Sequence, residues 1–135
     1  MKQLIFKIVI PLTIISFAIF TQWRYASVVD APDTMFYGFP LPFTCLGWHT
    51  SLSLQIFIIE FVIDLLTYFL FWFIVIFCIN RFLCKIRTHK IITISLWILC
   101  TLAIINGMIF CGNNIYYIKR PFDIEIIKTG YKFFW

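Results

Sequence analysis

The sequence predicts an all-α membrane protein: three transmembrane helices, an outer aromatic loop, and a short C-terminal tail that is strand-like or interfacial. Three observations carry that expectation. Of 135 residues, 62% are hydrophobic and 13% charged, with a mean hydropathy of +0.96, whereas soluble domains run near half apolar and a quarter charged. Three apolar runs, at about 4–21, 52–80 and 91–111, each approach or exceed the length needed to cross a ~30 Å hydrocarbon core. Between the second and third run stand Arg81, Lys85, Arg87 and Lys90 with no acid among them, the mark of a cytoplasmic hairpin.

The same arithmetic excludes several classes. A soluble globule this short has too few polar side chains to cover its surface. Disorder and a disulfide-stapled secreted module do not fit so apolar a chain. The net charge of +5 comes from only 11 basic residues in small groups, so no nucleic-acid partner is expected. The expected surroundings are the lipid bilayer and either a membrane-protein partner or a second copy of the chain.

The first run, from Leu4 to Phe20, is broken only by Lys7 and Pro11. Lys7 can snorkel to the headgroups, and Pro11 frees one backbone carbonyl. A cleaved signal peptide is the rival reading, with Ser16-Phe17-Ala18 as its site, but Ile19 and Phe20 continue the apolar run past that cut. Residues 22–51 turn polar and punctuated, and are expected to be a loop outside. Their centre is Tyr37-Gly38-Phe39-Pro40-Leu41-Pro42-Phe43, where two prolines bar a helix and Tyr37, Phe39 and Phe43 suit the headgroup level. Pro40 and Pro42 would hold this stretch as a membrane-hugging connector or a surface for a partner or lipid.

The second run is longer than the hydrocarbon is thick and must tilt or project. It carries Glu60 and Asp64, four residues apart on one helical face, with Ser53 and Thr67 extending the stripe. Counted from a helix start near Ser51, Glu60 would lie about 13 Å deep and Asp64 about 20 Å. Carboxylates at such depth cost several kcal/mol each unless protonated or partnered, and Asp64, nearer the midplane, would matter more. Antiparallel registry offers Thr101 and Asn106 on the third run as partners at matching depth, and no basic residue within the spans faces the acids. The basic hairpin 81–90 and the third run follow, closed by Gly107, Gly112 and Asn113-Asn114.

Lys2, Lys7 and the hairpin place the amino terminus in the cytoplasm and the tail 112–135 outside, in a bacterial inner membrane. In that tail Phe122, Ile124 and Ile126 alternate with Asp123, Glu125 and Ile127, and Lys128-Thr129-Gly130 reads as a turn.

No catalytic residue, cofactor or metal site is expected. The five cysteines contain no CxxC pair, and Cys45 with His49 makes only half a zinc set. Cys45 and Cys111, both at the outer boundary, are the pair placed to form a disulfide. His49 and His89 lie at opposite faces, which excludes a haem held between spans. Both membrane acids lie on one helix, unlike an intramembrane aspartyl protease, and no phosphate-binding glycine loop, serine–histidine pair or lipobox occurs. Three functions stay open: a non-enzymatic accessory or assembly subunit acting through helix packing, a homo-oligomeric ion or proton conductor using Glu60 and Asp64, and an enzyme on a lipid substrate using an acid with His49.

The Tyr37–Phe43 run, the helix Phe61-Val62-Ile63-Asp64-Leu65-Leu66 with its aromatic continuation, and the ending Thr129-Gly130-Tyr131-Lys132-Phe133 resemble small uncharacterised membrane proteins of Bacteroidota-type bacteria. The resemblance implies a compartment and no mechanism.

Overall fold

The computed structural model describes residues 2–28, 31–47, 53–83, 86, 89–109, 114–121, 123 and 124–133. Three helices are long and apolar enough to cross a membrane: α1 (Lys2–Ile19), α2 (Ile58–Leu83) and α3 (Lys90–Ile109). In α1 a π-helical turn over Ile5–Val9 precedes Pro11. Proline has no N–H to offer the preceding turn, and a π turn absorbs the break without ending the helix. Helix α1 packs on both α2 and α3, and Trp72 Nε1 donates to Ser16 Oγ at 2.8 Å, tying α2 to α1.

The chain is not all-α. Six strands form one mixed sheet in the order β5-β4-β3-β2-β1-β6, with β1 (Phe20–Val28), β2 (Ala31–Tyr37), β3 (Thr44–Leu46), β4 (Leu54–Phe57), β5 (Ile115–Tyr117) and β6 (Ile124–Phe133). All neighbours are antiparallel except β4 and β5. The expected outer loop is therefore mostly strand. Its first part, Phe20-Thr21-Gln22-Trp23-Arg24-Tyr25, is rich in aromatic and β-branched residues at period two, which suits a half-buried pleat. The expected turn at Lys128-Thr129-Gly130 is also absent: β6 runs unbroken through it, pairing Thr129 with Arg24 and Gly130 with Trp23. Gly130 is required there, because a β-carbon would stand 2.5 Å from the Trp23 ring.

Helix and strand abut without linkers. Phe20, which caps α1, is already extended, with φ −105° and ψ 126°, and Ile58 follows β4 directly. The C-terminal end of α1 and the N-terminal end of α2 thus meet the sheet, and α3 leads back to it through β5. The basic residues Lys2, Lys7, Arg81 and Lys90 lie at the far ends of the helices. The sheet's own core is Ala26, Val28, Phe36, Cys45 and Phe57, with Ile124 packed against them.

The segment between β2 and β3 is an internal wedge. Gly38, Pro42 and Phe43 are buried. Phe43 stacks on Phe17 of α1 and meets Phe61 of α2 edge-on, while Phe39 meets Phe20 and Tyr68. Gly38 has φ +146°, and a β-carbon there would lie 2.1 Å from the Leu41 carbonyl oxygen, so only glycine allows the bend.

Candidate functional site

The wedge ends on the acids. The Leu41 N–H donates to Asp64 Oδ1 at 2.8 Å, and the Phe39 amide lies near the same carboxylate. Asp64 is fully buried and Glu60 nearly so. Glu60 Oε1 accepts from the Arg120 backbone N–H at 3.4 Å. Among the described residues, Glu60 Oε2 and Asp64 Oδ2 have no hydrogen-bond partner.

Both acids lie at the sheet end of α2, because residues 54–57 are strand and α2 begins only at Ile58. From that start Glu60 is about 3 Å along the axis and Asp64 about 9 Å, so the greater depths expected from a helix beginning near Ser51 do not hold. Glu60 falls in the first turn, where the helix dipole favours an acid.

Arg24 is the cation of the site. Its Nη2 donates to Gln22 Oε1 at 2.7 Å and to the Pro40 carbonyl, which fastens β1 to the wedge. Burial lowers its pKa from the ordinary arginine value, Asp64 acts in the opposite direction, and the charge of Arg120 adds to the lowering. A basic residue therefore does serve Asp64, from the sheet rather than from a span. Arg24 reads in sequence as an interfacial residue beside Trp23 and Tyr25. The signal that could have found it is the period-two pattern of β1, which puts Phe20, Gln22 and Arg24 on one face.

The other expected partners stay apart from the acids. Thr67 Oγ1 donates to Ile63 O at 2.9 Å and Thr101 Oγ1 to Ile98 O at 2.8 Å, each within its own helix. Thr101 and Asn106 are exposed on α3. Ser53 is buried ahead of β4 and belongs to no helical stripe. Of the expected interface residues, Tyr37 ends β2 beneath the Lys132 ammonium, 5.9 Å from its ring centre, and Phe39, Pro40, Pro42 and Phe43 form the wedge.

Cys45 is a free, buried thiol in β3, and burial pushes its pKa up to about 12, so it is neither a nucleophile nor a ready metal ligand. Cys111 and His49 lie outside the described residues, as do Cys84, Lys85 and Arg87. No group of three or more His, Cys, Asp or Glu side chains that could hold a metal ion occurs among the described residues.

Below the wedge, between α1 and α2, lies a half-open groove of about 340 Å³ lined by Ser16, Phe20, Phe39, Thr67, Tyr68, Phe71 and Trp72. Its polar atoms are spent locally: Tyr68 OH donates to Phe20 O at 2.9 Å, and Trp72 and Ser16 bond each other. What remains is apolar.

Comparison with protein-family models, curated proteins and solved structures finds no match for this chain.

Proposed function

We propose that the chain is a non-enzymatic accessory or assembly subunit of a bacterial inner membrane, with its amino terminus in the cytoplasm and its sheet outside. The observation that carries this reading is the exposure of α3. It touches the rest of the chain through α1 and buries only Cys100 among its described side chains, while Ile91, Ile92, Ile94, Ile98, Leu99, Leu102 and Ile105 are more than half exposed. Among the described residues no atom within 4 Å would meet a β-carbon at Gly107, and Ala103 lies one turn before it, beside Asn106. Lipid tails give no hydrophobic drive to helix association, so close backbone approach at small residues and interhelical hydrogen bonds decide it. α3 offers both.

A conductor draws less support, because Glu60 and Asp64 are held by the backbone of the protein's own wedge and tail at one end of α2. Purification in mild detergent tests the choice. A second membrane protein in fixed stoichiometry, lost on Gly107→Leu, is the expected result. A homo-oligomer alone that passes protons in liposomes would instead establish the conductor.

A further inference from the structure

The groove and the site above it share a wall, and together they have the form of an amphiphile. Phe39 lines the groove, and its neighbour Pro40 is held by Arg24. Ser16 sits one turn below the end of α1, so the groove opens in the leaflet nearest the sheet. Phe20, which lines the groove, shares one face of β1 with Gln22 and Arg24, and the guanidinium bonds the residue next to Phe39 of the groove wall. The volume of about 340 Å³ falls in the range of sites that hold small lipophilic ligands, roughly 300–1,000 Å³.

Arg24 has donors left for a ligand. Both hydrogen bonds it makes to described residues leave from Nη2, so Nε and Nη1 are unspent on a half-buried side chain, in the fork geometry that grips phosphate with two hydrogen bonds. Asp64 offsets the charge of Arg24 from the helix side, and Arg120 adds a second cation near it.

We propose that this is a phospholipid site: one acyl chain of a membrane phospholipid occupies the groove between α1 and α2, and its phosphate is bound by Arg24. The site goes beyond the assembly reading and does not depend on whether a protein partner exists. It requires only that α1 and α2 lie in lipid.

The full chain, delipidated in detergent, is to be titrated with 1-palmitoyl-2-oleoyl-phosphatidylglycerol and read by native mass spectrometry. One lipid per chain is expected to survive desolvation. Thr67→Phe, which fills the groove, and Arg24→Gln are each expected to lower the retained fraction about tenfold, and excess inorganic phosphate is expected to leave it unchanged. Should Arg24→Gln fail to accumulate, Arg24→Lys keeps the charge without the fork and is expected to show a several-fold loss. Retention unaffected by Thr67→Phe or by the Arg24 variant, a smear of lipid counts without a preferred one, or displacement by phosphate alone would overturn the proposal.

Discussion

Asp64 shows how a residue that sequence marks as costly is made tolerable. It is placed against backbone N–H groups of a loop that cannot move away, because Gly38 fixes the bend and aromatic rings clamp it from both helices. Asp64→Asn keeps an acceptor for the Leu41 N–H, whereas Asp64→Leu removes the partner of that part-buried donor, at a cost of about 1 kcal/mol. The expected order of thermal stability in detergent is wild type, then Asn, then Leu. Equal melting of wild type and Leu would show that the hydrogen bond does not hold the wedge. Cys45 gives a second residue-scale expectation. Its pKa rises from 9.0 to about 12, so at pH 8 its thiolate fraction falls about a thousandfold, and maleimide labelling of this thiol should be slower in the folded chain than in the denatured chain by about that order. Because the folded value lies above the unfolded one, this thiol leaves stability untouched below pH 9 and lowers it as pH climbs from 9 toward 12.

At the scale of elements, the three apolar runs announce helices through length alone, and they fall at Lys2–Ile19, Ile58–Leu83 and Lys90–Ile109. The sheet is far less legible. Its strands are short or carry mixed polarity, and their partners are remote: β1 pairs with β6 across most of the chain. Phe20 and residues 54–57 read as membrane helix because they are apolar, and only tertiary pairing makes them strand, the usual way long-range contacts override local preference. The acids were visible as a pair, but their depth was not, since it depends on where α2 begins. The period-two pattern of β1 marks the face that carries Arg24, but its contact with the wedge follows only from β1 and β2 lying side by side. Gly130 tests the central pairing. Gly130→Ala forces a methyl group into the Trp23 ring and should cost about 1–3 kcal/mol. In a Trp23→Ala background the same change should cost under about 0.5 kcal/mol, because the two residues are directly coupled. Equal penalties in both backgrounds would remove the ring from the explanation.

For the whole molecule, the helices divide the chain into a basic end and a sheet end. Reporter fusions after Lys85 and after Trp135 should therefore report opposite sides of the membrane, the first cytoplasmic and the second external. A cytoplasmic reporter at both positions contradicts three crossings. The arrangement also explains why so apolar a chain needs its few polar groups where they are. Backbone groups within the hydrocarbon must be satisfied by helix hydrogen bonds, and the sheet keeps its strand ladder at the end where helices give way.

The pairing of β6 with β1 carries a consequence for biogenesis. β1 directly follows the first helix, yet β6, which covers one of its two edges, comes only after α2 and α3. Until β6 docks, that edge shows an open row of hydrogen-bonding groups, and Phe20 lacks the Tyr131 and Phe133 rings that pack on it. An open strand edge recruits whatever backbone is nearest. A chain that has formed β1 but not yet β6 thus passes through an interval in which this edge is adhesive, and one cut short of β6 stays in that condition.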